Sequence, residues 1–242
     1  MAVREFPDRR AAGRRVFIAA AILFALIAVI GFARTYYLRA FFDVPPLPSM
    51  LVHLHGITMT LWLAMFGTQV FLISSRRVKV HQRLGFAGVG LAVVVIIIGI
   101  MTAIAAAARG GLSAAPPDIP PLTFMIVPFT DMVLFAALFG AAIYYRKRPA
   151  NHKRLMLLTA INFLPPAIAR IPIDAFAQAG PLAFFGIPAV IAIACLVVDS
   201  WKNQKLNKVF LAGTLLLIAS YPLRLMIGFT EPWLAFAAWA TS

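Results

Sequence analysis

Four histidines occur in the 242 residues of this chain, and two of them hold matching places in a duplicated pattern. Arg77, His81, Arg83 and Leu84 form one copy of R-x-x-x-H-x-R-L, and Arg148, His152, Arg154 and Leu155 form the other. Phe66-Gly67 and Phe139-Gly140 stand at comparable distances upstream. An imidazole is a proton carrier near neutral pH and a common metal ligand, and a guanidinium binds carboxylates in bidentate fashion. Two such clusters at one depth could therefore hold a ligand between them. His53 and His55 are a second candidate pair. On a regular helix, residues two apart are turned about 200° from one another; if the chain is still extended there, both rings can point the same way and bind a metal. Asp131, Arg170 and Arg224 are a third group, because each lies inside a long apolar stretch where charge is costly.

The elements that must position these residues are membrane helices. Hydrophobic residues make up 62% of the chain and charged residues 12%, with a mean hydropathy of +0.90; a soluble core cannot hide that much apolar surface. A crossing helix needs about 20 mostly apolar residues, and seven segments qualify: 16–33, 50–74, 84–108, 122–145, 155–173, 181–198 and 209–230. The expected fold is an all-α bundle of seven transmembrane helices forming one domain over 1–242. The duplicated pattern predicts that helices two–three and four–five are tandem hairpins of the same orientation. Proline falls within several helices, at Pro128, Pro165-Pro166, Pro188 and Pro222, and each removes a backbone donor that lipid cannot replace.

The distribution of Lys and Arg sets the orientation. The N-terminal tail (Arg4, Arg9, Arg10, Arg14, Arg15) and the loops around Arg76–Arg83, Arg146–Arg154 and Lys202–Lys208 hold 17 of the 22 basic residues. That side is expected to be cytoplasmic, with the N-terminus inside and the C-terminus periplasmic or extracellular, in a bacterial inner membrane. The other loops are rich in proline, including Pro45, Pro46, Pro48, Pro116, Pro117, Pro120 and Pro121. A net charge of +14 invites a nucleic-acid reading, but the charges sit in loops beside apolar helices rather than on a folded basic domain. The partners expected are the lipid bilayer and anionic headgroups at the cytoplasmic loops, with a larger membrane complex or a homo-oligomer also open. The first segment is longer than a signal-peptide core and is read as an anchor. Cys195 is the only cysteine and lies inside the sixth segment, where a buried inert thiol is expected.

The stretch from His53 to Gly85 is similar to a pattern in uncharacterised bacterial multi-pass membrane proteins. Its His-led helix starts, with His81-Gln82-Arg83-Leu84-Gly85, also resemble cytochrome b561-type membrane haem proteins over helices two to five. That resemblance implies haem b held between helices by paired histidines, which here would be His81 and His152, with Arg77 and Arg148 placed to meet haem propionates. The departure from the family is that its ligand histidines lie inside facing helices, whereas these two stand at helix starts.

At about 1.5 Å per residue, Asp131, Arg170, Arg224 and His55 all fall in the outer half of the bundle. The expectation is one shared polar site, with Trp62 on the inward face of the second helix as a further ligand-lining candidate. His55, Thr58, Met59, Trp62, Phe66 and Gln69 recur on that face at helical spacing. Signature patterns of serine hydrolases, zinc proteases and nucleotide-binding folds are absent from the sequence. A seven-helix zinc hydrolase would need histidines beyond His152, and a retinal protein would need a lysine in the seventh segment; neither is present. Three readings stay open: a haem b redox or electron-transfer protein, a transporter or small-ligand-binding protein using the outer polar residues, and a non-catalytic subunit or assembly factor of a membrane complex.

Overall fold

A computed structural model describes residues 9–111 and 118–242, with side chains from Phe17 onward except at Ala177. Arg4, Pro116 and Pro117 lie outside the described residues. Among the described residues the regular secondary structure is all helical. In chain order the α-helices are α1 (Arg9–Phe32), α2 (Met50–Ser74), α3 (Val78–Ala108), α4 (Pro121–Phe124), α5 (Ile126–Tyr144), α6 (Pro149–Asn162), α7 (Pro165–Ile168), α8 (Asp174–Ala179), α9 (Pro181–Asn203), α10 (Lys208–Gly228) and α11 (Glu231–Thr241). Six stretches are long and apolar enough to cross a membrane: Phe17–Tyr37, Met50–Ser74, Val78–Ala108, Pro121–Lys147, Pro181–Asn203 and Lys208–Gly228. They are consistent with a multi-pass integral membrane protein.

The connections at the basic end are short, and one of the helices they start is capped by a side chain. Asn207 accepts a hydrogen bond from the Phe210 amide at 2.8 Å and starts α10. At the opposite end Ser49 accepts from the Val52 amide and starts α2. The third helix begins at Val78, six residues before its apolar run, so Lys79, His81 and Arg83 extend the helix beyond the lipid-like part of the sequence.

The fifth apolar segment, expected as one helix over 155–173, is broken instead. Pro165 and Pro166 carry no N–H, so the Asn162 carbonyl has no donor three or four residues ahead. The helix stops at Asn162, turns through Phe163 and Leu164, and resumes for one turn as α7. Pro128 has a milder effect, for it removes the donor to the Phe124 carbonyl and the helix is interrupted there between α4 and α5. Pro188 and Pro222 stay inside continuous helices. Two short helices, α8 and α11, lie outside the expected segments.

The α4–α5 stretch is the centre of the bundle, with 61% of its apolar window buried against 22–39% for the other five. Its faces pack on α6 and α10 through Leu138, Ala142, Leu158 and Leu217. They meet α2 and α3 through Phe135, Met132, Trp62 and Val95. A Cβ at Gly31 would collide with the Ala167 backbone carbonyl, so α1 lies backbone to backbone against α7 and props the broken segment from outside. At the far end α11 is tied to the bundle by the Trp233 indole, which donates to the Leu122 carbonyl at 2.9 Å.

Candidate functional site

Arg77 and Arg148 are the N-cap residues of α3 and α6, so His81 and His152 are each the fourth residue of their helix. Their amides donate to the Arg77 and Arg148 carbonyls at 3.0 and 3.1 Å. The two imidazoles, 71 positions apart in sequence, face each other with ring centres 6.3 Å apart and planes at 75°. The His152 Nδ1 lies 2.8 Å from the Ala142 carbonyl. A carbonyl only accepts, so Nδ1 carries the proton and the Nε2 lone pair stays available. Metal-bound histidines are commonly held in this manner, with the second ring nitrogen donating to a backbone carbonyl. His81 has a buried Nδ1 with no hydrogen-bond partner.

The arginines around this pair divide. Arg77 and Arg148 are exposed, and Arg148 lies over the Tyr145 ring at 5.8 Å. Arg154 is committed elsewhere, since its Nε donates to Asp199 Oδ2 at 2.7 Å and a second nitrogen donates to the Ala150 carbonyl. Sequence reasoning missed Asp199, although it is an isolated acid at the basic end of the sixth segment and the cations around it were a usable signal.

His53 and His55 are not brought together. Both lie within regular helix α2, so their side chains diverge. His53 meets Tyr36, whose hydroxyl is 3.4 Å from the ring and donates to the His53 carbonyl at 3.2 Å. His55 lies within electrostatic reach of Arg170. Among the described residues, no three His, Cys, Asp or Glu side chains converge as a metal site would require.

The expected polar constellation resolves into two parts. Asp131 and Arg224 form a buried ion pair, with the guanidinium donating to the carboxylate at 2.5 Å. A second nitrogen of Arg224 donates to Ser220 Oγ at 3.2 Å, and the cation lies 5.4 and 5.7 Å from the Tyr221 and Phe185 rings. Asn162, at the end of α6, donates to the Asp131 backbone carbonyl at 2.9 Å. Three polar atoms of this group are buried without a partner: Asn162 Oδ1, Tyr221 Oη and Arg224 Nε. Arg170 takes no part. It donates to the Pro166 carbonyl at 2.8 Å and lies over the Phe32 ring at 5.0 Å, so it caps the broken segment from the far side.

Trp62 packs edge-on against Phe135 and Phe139, with ring centres 4.8 and 5.5 Å apart, and is a core residue. Asn162, Ser220 and Tyr221 were not singled out from sequence, where an Asn before a proline pair was the available signal. No family model, curated protein or solved structure matches the chain.

Proposed function

We propose that His81 and His152 hold haem b and that the protein is a membrane redox or electron-transfer protein. The observation that carries this reading is the 6.3 Å separation of the ring centres. Two imidazoles this close on different helices would be able to share one metal centre as ligands. The donor set fits the group at the ligand atoms, because His152 is fixed with Nε2 free and His81 keeps a buried nitrogen without a partner. Arg77, exposed at the start of α3, is available to a propionate; Arg148 is available only by leaving Tyr145. Haem, when bound, supplies one-electron transfer. The chain's part is to hold the two rings at one depth and to fix the tautomer of His152.

The matched N-cap arginines and fourth-position histidines support reading helices α2–α3 and α5–α6 as a parallel repeat. Counting α6 with α7 as a seventh crossing places every basic loop on one side, which the positive-inside rule makes cytoplasmic.

Protein purified from haem-replete cells is expected to show a Soret band, and His81→Ala or His152→Ala to reduce it at least tenfold while the elution volume on size exclusion stays unchanged. Colourless protein from such cells would overturn the reading.

A second reading, small-ligand binding in the interior, is favoured by one observation: Asn162 at the break in the fifth segment, and Tyr221 and Arg224 on α10, each keep a buried polar atom without a partner. Broken helices that expose backbone polar groups near the midplane are a recurrent way to build membrane binding sites.

A further inference from the structure

A groove of about 360 Å³ runs along the side of the bundle between α5, α6 and α10. Its walls are small residues, Ala137 and Ala141 on α5 and Ala212 and Gly213 on α10, and its floor includes Leu155. Lys208 and Tyr145 stand at its mouth at the basic end. From Lys208 to Leu216 it follows α10 for eight residues, which is ~12 Å. The groove is apolar along its length and carries a cation at one end only.

We infer that this groove is a binding site for one anionic phospholipid, with an acyl chain along the Ala137–Ala141 and Ala212–Gly213 walls and the headgroup phosphate on Lys208. The inference rests on the membrane character of the chain and is independent of haem. Three features select this occupant. The volume lies within the roughly 300–1,000 Å³ of small-molecule sites, too large for a solvent molecule and elongated as an acyl chain is. Among the described residues the ion pairs are those of Arg154 and Arg224, so no carboxylate neutralises the exposed Lys208. A long lysine side chain at the end of a helix reaches the headgroup layer while its stem lies along apolar surface. Small residues on neighbouring helices can also seat a helix of a second copy. That occupant would bring Lys205, Lys208, Arg146 and Lys147 against their own counterparts, and like charges at the mouth oppose it.

The floor helix α6 is tied to the start of α10, because the Asn207 side chain donates to the Asn151 side chain at 2.8 Å. Gly213 lets α10 sit close to α6, since a Cβ there would press on the end of Leu158. The groove is thus a fixed feature of the packed helices.

The test is native mass spectrometry of the full chain released from nanodiscs made with equal amounts of phosphatidylglycerol and phosphatidylcholine. One phosphatidylglycerol is expected to stay bound. Lys208→Gln, on the exposed first turn of α10, is expected to reduce its retention about fivefold. Ala212→Phe, which fills the groove, is expected to abolish retention; Ala137→Phe on the opposite wall serves if the first variant does not fold. Equal retention of the two lipids, or retention untouched by the wall variants, would overturn the inference. So would a disulfide-linked dimer formed through Ala212→Cys in a Cys195→Ser background, because it would assign the groove to a second copy.

Discussion

Arg154–Asp199 and Arg224–Asp131 are both ion pairs between distant segments, yet they are finished differently. At the basic end, Arg154 donates to Asp199 and to the Ala150 carbonyl, and Asn203 donates to the other Asp199 oxygen at 3.2 Å. The Asp199 side chain keeps 13% of its surface exposed, so water still reaches it. In the middle of the bundle Arg224 is 1% exposed and its Nε has no partner, while Tyr221 and Asn162 beside it also keep unpaired atoms. The first pair closes its hydrogen bonds as a structural clamp does. The second leaves valences open where lipid and core offer no substitute, a pattern that fits interior waters or a small ligand.

Three substitutions test that contrast, in order of expected effect. Arg224→Leu strands the Asp131 carboxylate in the interior and is expected to cost about 3–5 kcal/mol. Thermal unfolding in a fixed detergent measures it, and the double variant Asp131→Leu, Arg224→Leu should recover most of the loss; a double variant no better than the single would mean that the pair is not the source. Arg154→Leu should cost less, about 1–2 kcal/mol, because the abandoned Asp199 can be rehydrated. An effect as large as that of Arg224→Leu would erase the distinction. Asn162→Ala loses one hydrogen bond to the Asp131 carbonyl and also removes an unpartnered oxygen, so a cost of about 1 kcal/mol or less is expected. A clearly larger cost would show that Asn162 Oδ1 is occupied in solution.

The sequence was most readable where lipid imposes a rule. Continuous apolar runs marked α2, α9 and α10 to within a few residues, but hydropathy marks the edge of lipid rather than the end of a helix, which is why α3 begins six residues before its apolar run. The break in the fifth segment was signalled by Pro165-Pro166, whereas its extent depended on which carbonyls lost donors. Asp131 and Arg224 were expected to meet because lone charges in apolar helices need partners. Arg170 was expected with them and is not there, since the break gives it a nearer acceptor in the Pro166 carbonyl. Matched spacing gave His81 and His152 one depth, whereas the meeting of their rings depends on how α3 and α6 are rotated. The partners that complete each group, Ala142, Asn162, Ser220 and Asp199, depend on rotation and tilt between helices, which no spacing along one helix encodes.

The broken segment is also short for a bilayer. The apolar part of α6 with α7, residues 155–168, spans only ~21 Å at 1.5 Å per residue, against a hydrocarbon core of ~30 Å. The remaining stretch turns at the Arg170 cap and runs into the short α8. That shortfall is hidden from lipid, because residues 155–168 are all buried or half-buried and α1 lies backbone to backbone against α7. A segment too short and too broken to stand alone in hydrocarbon is tolerated where neighbouring helices enclose it.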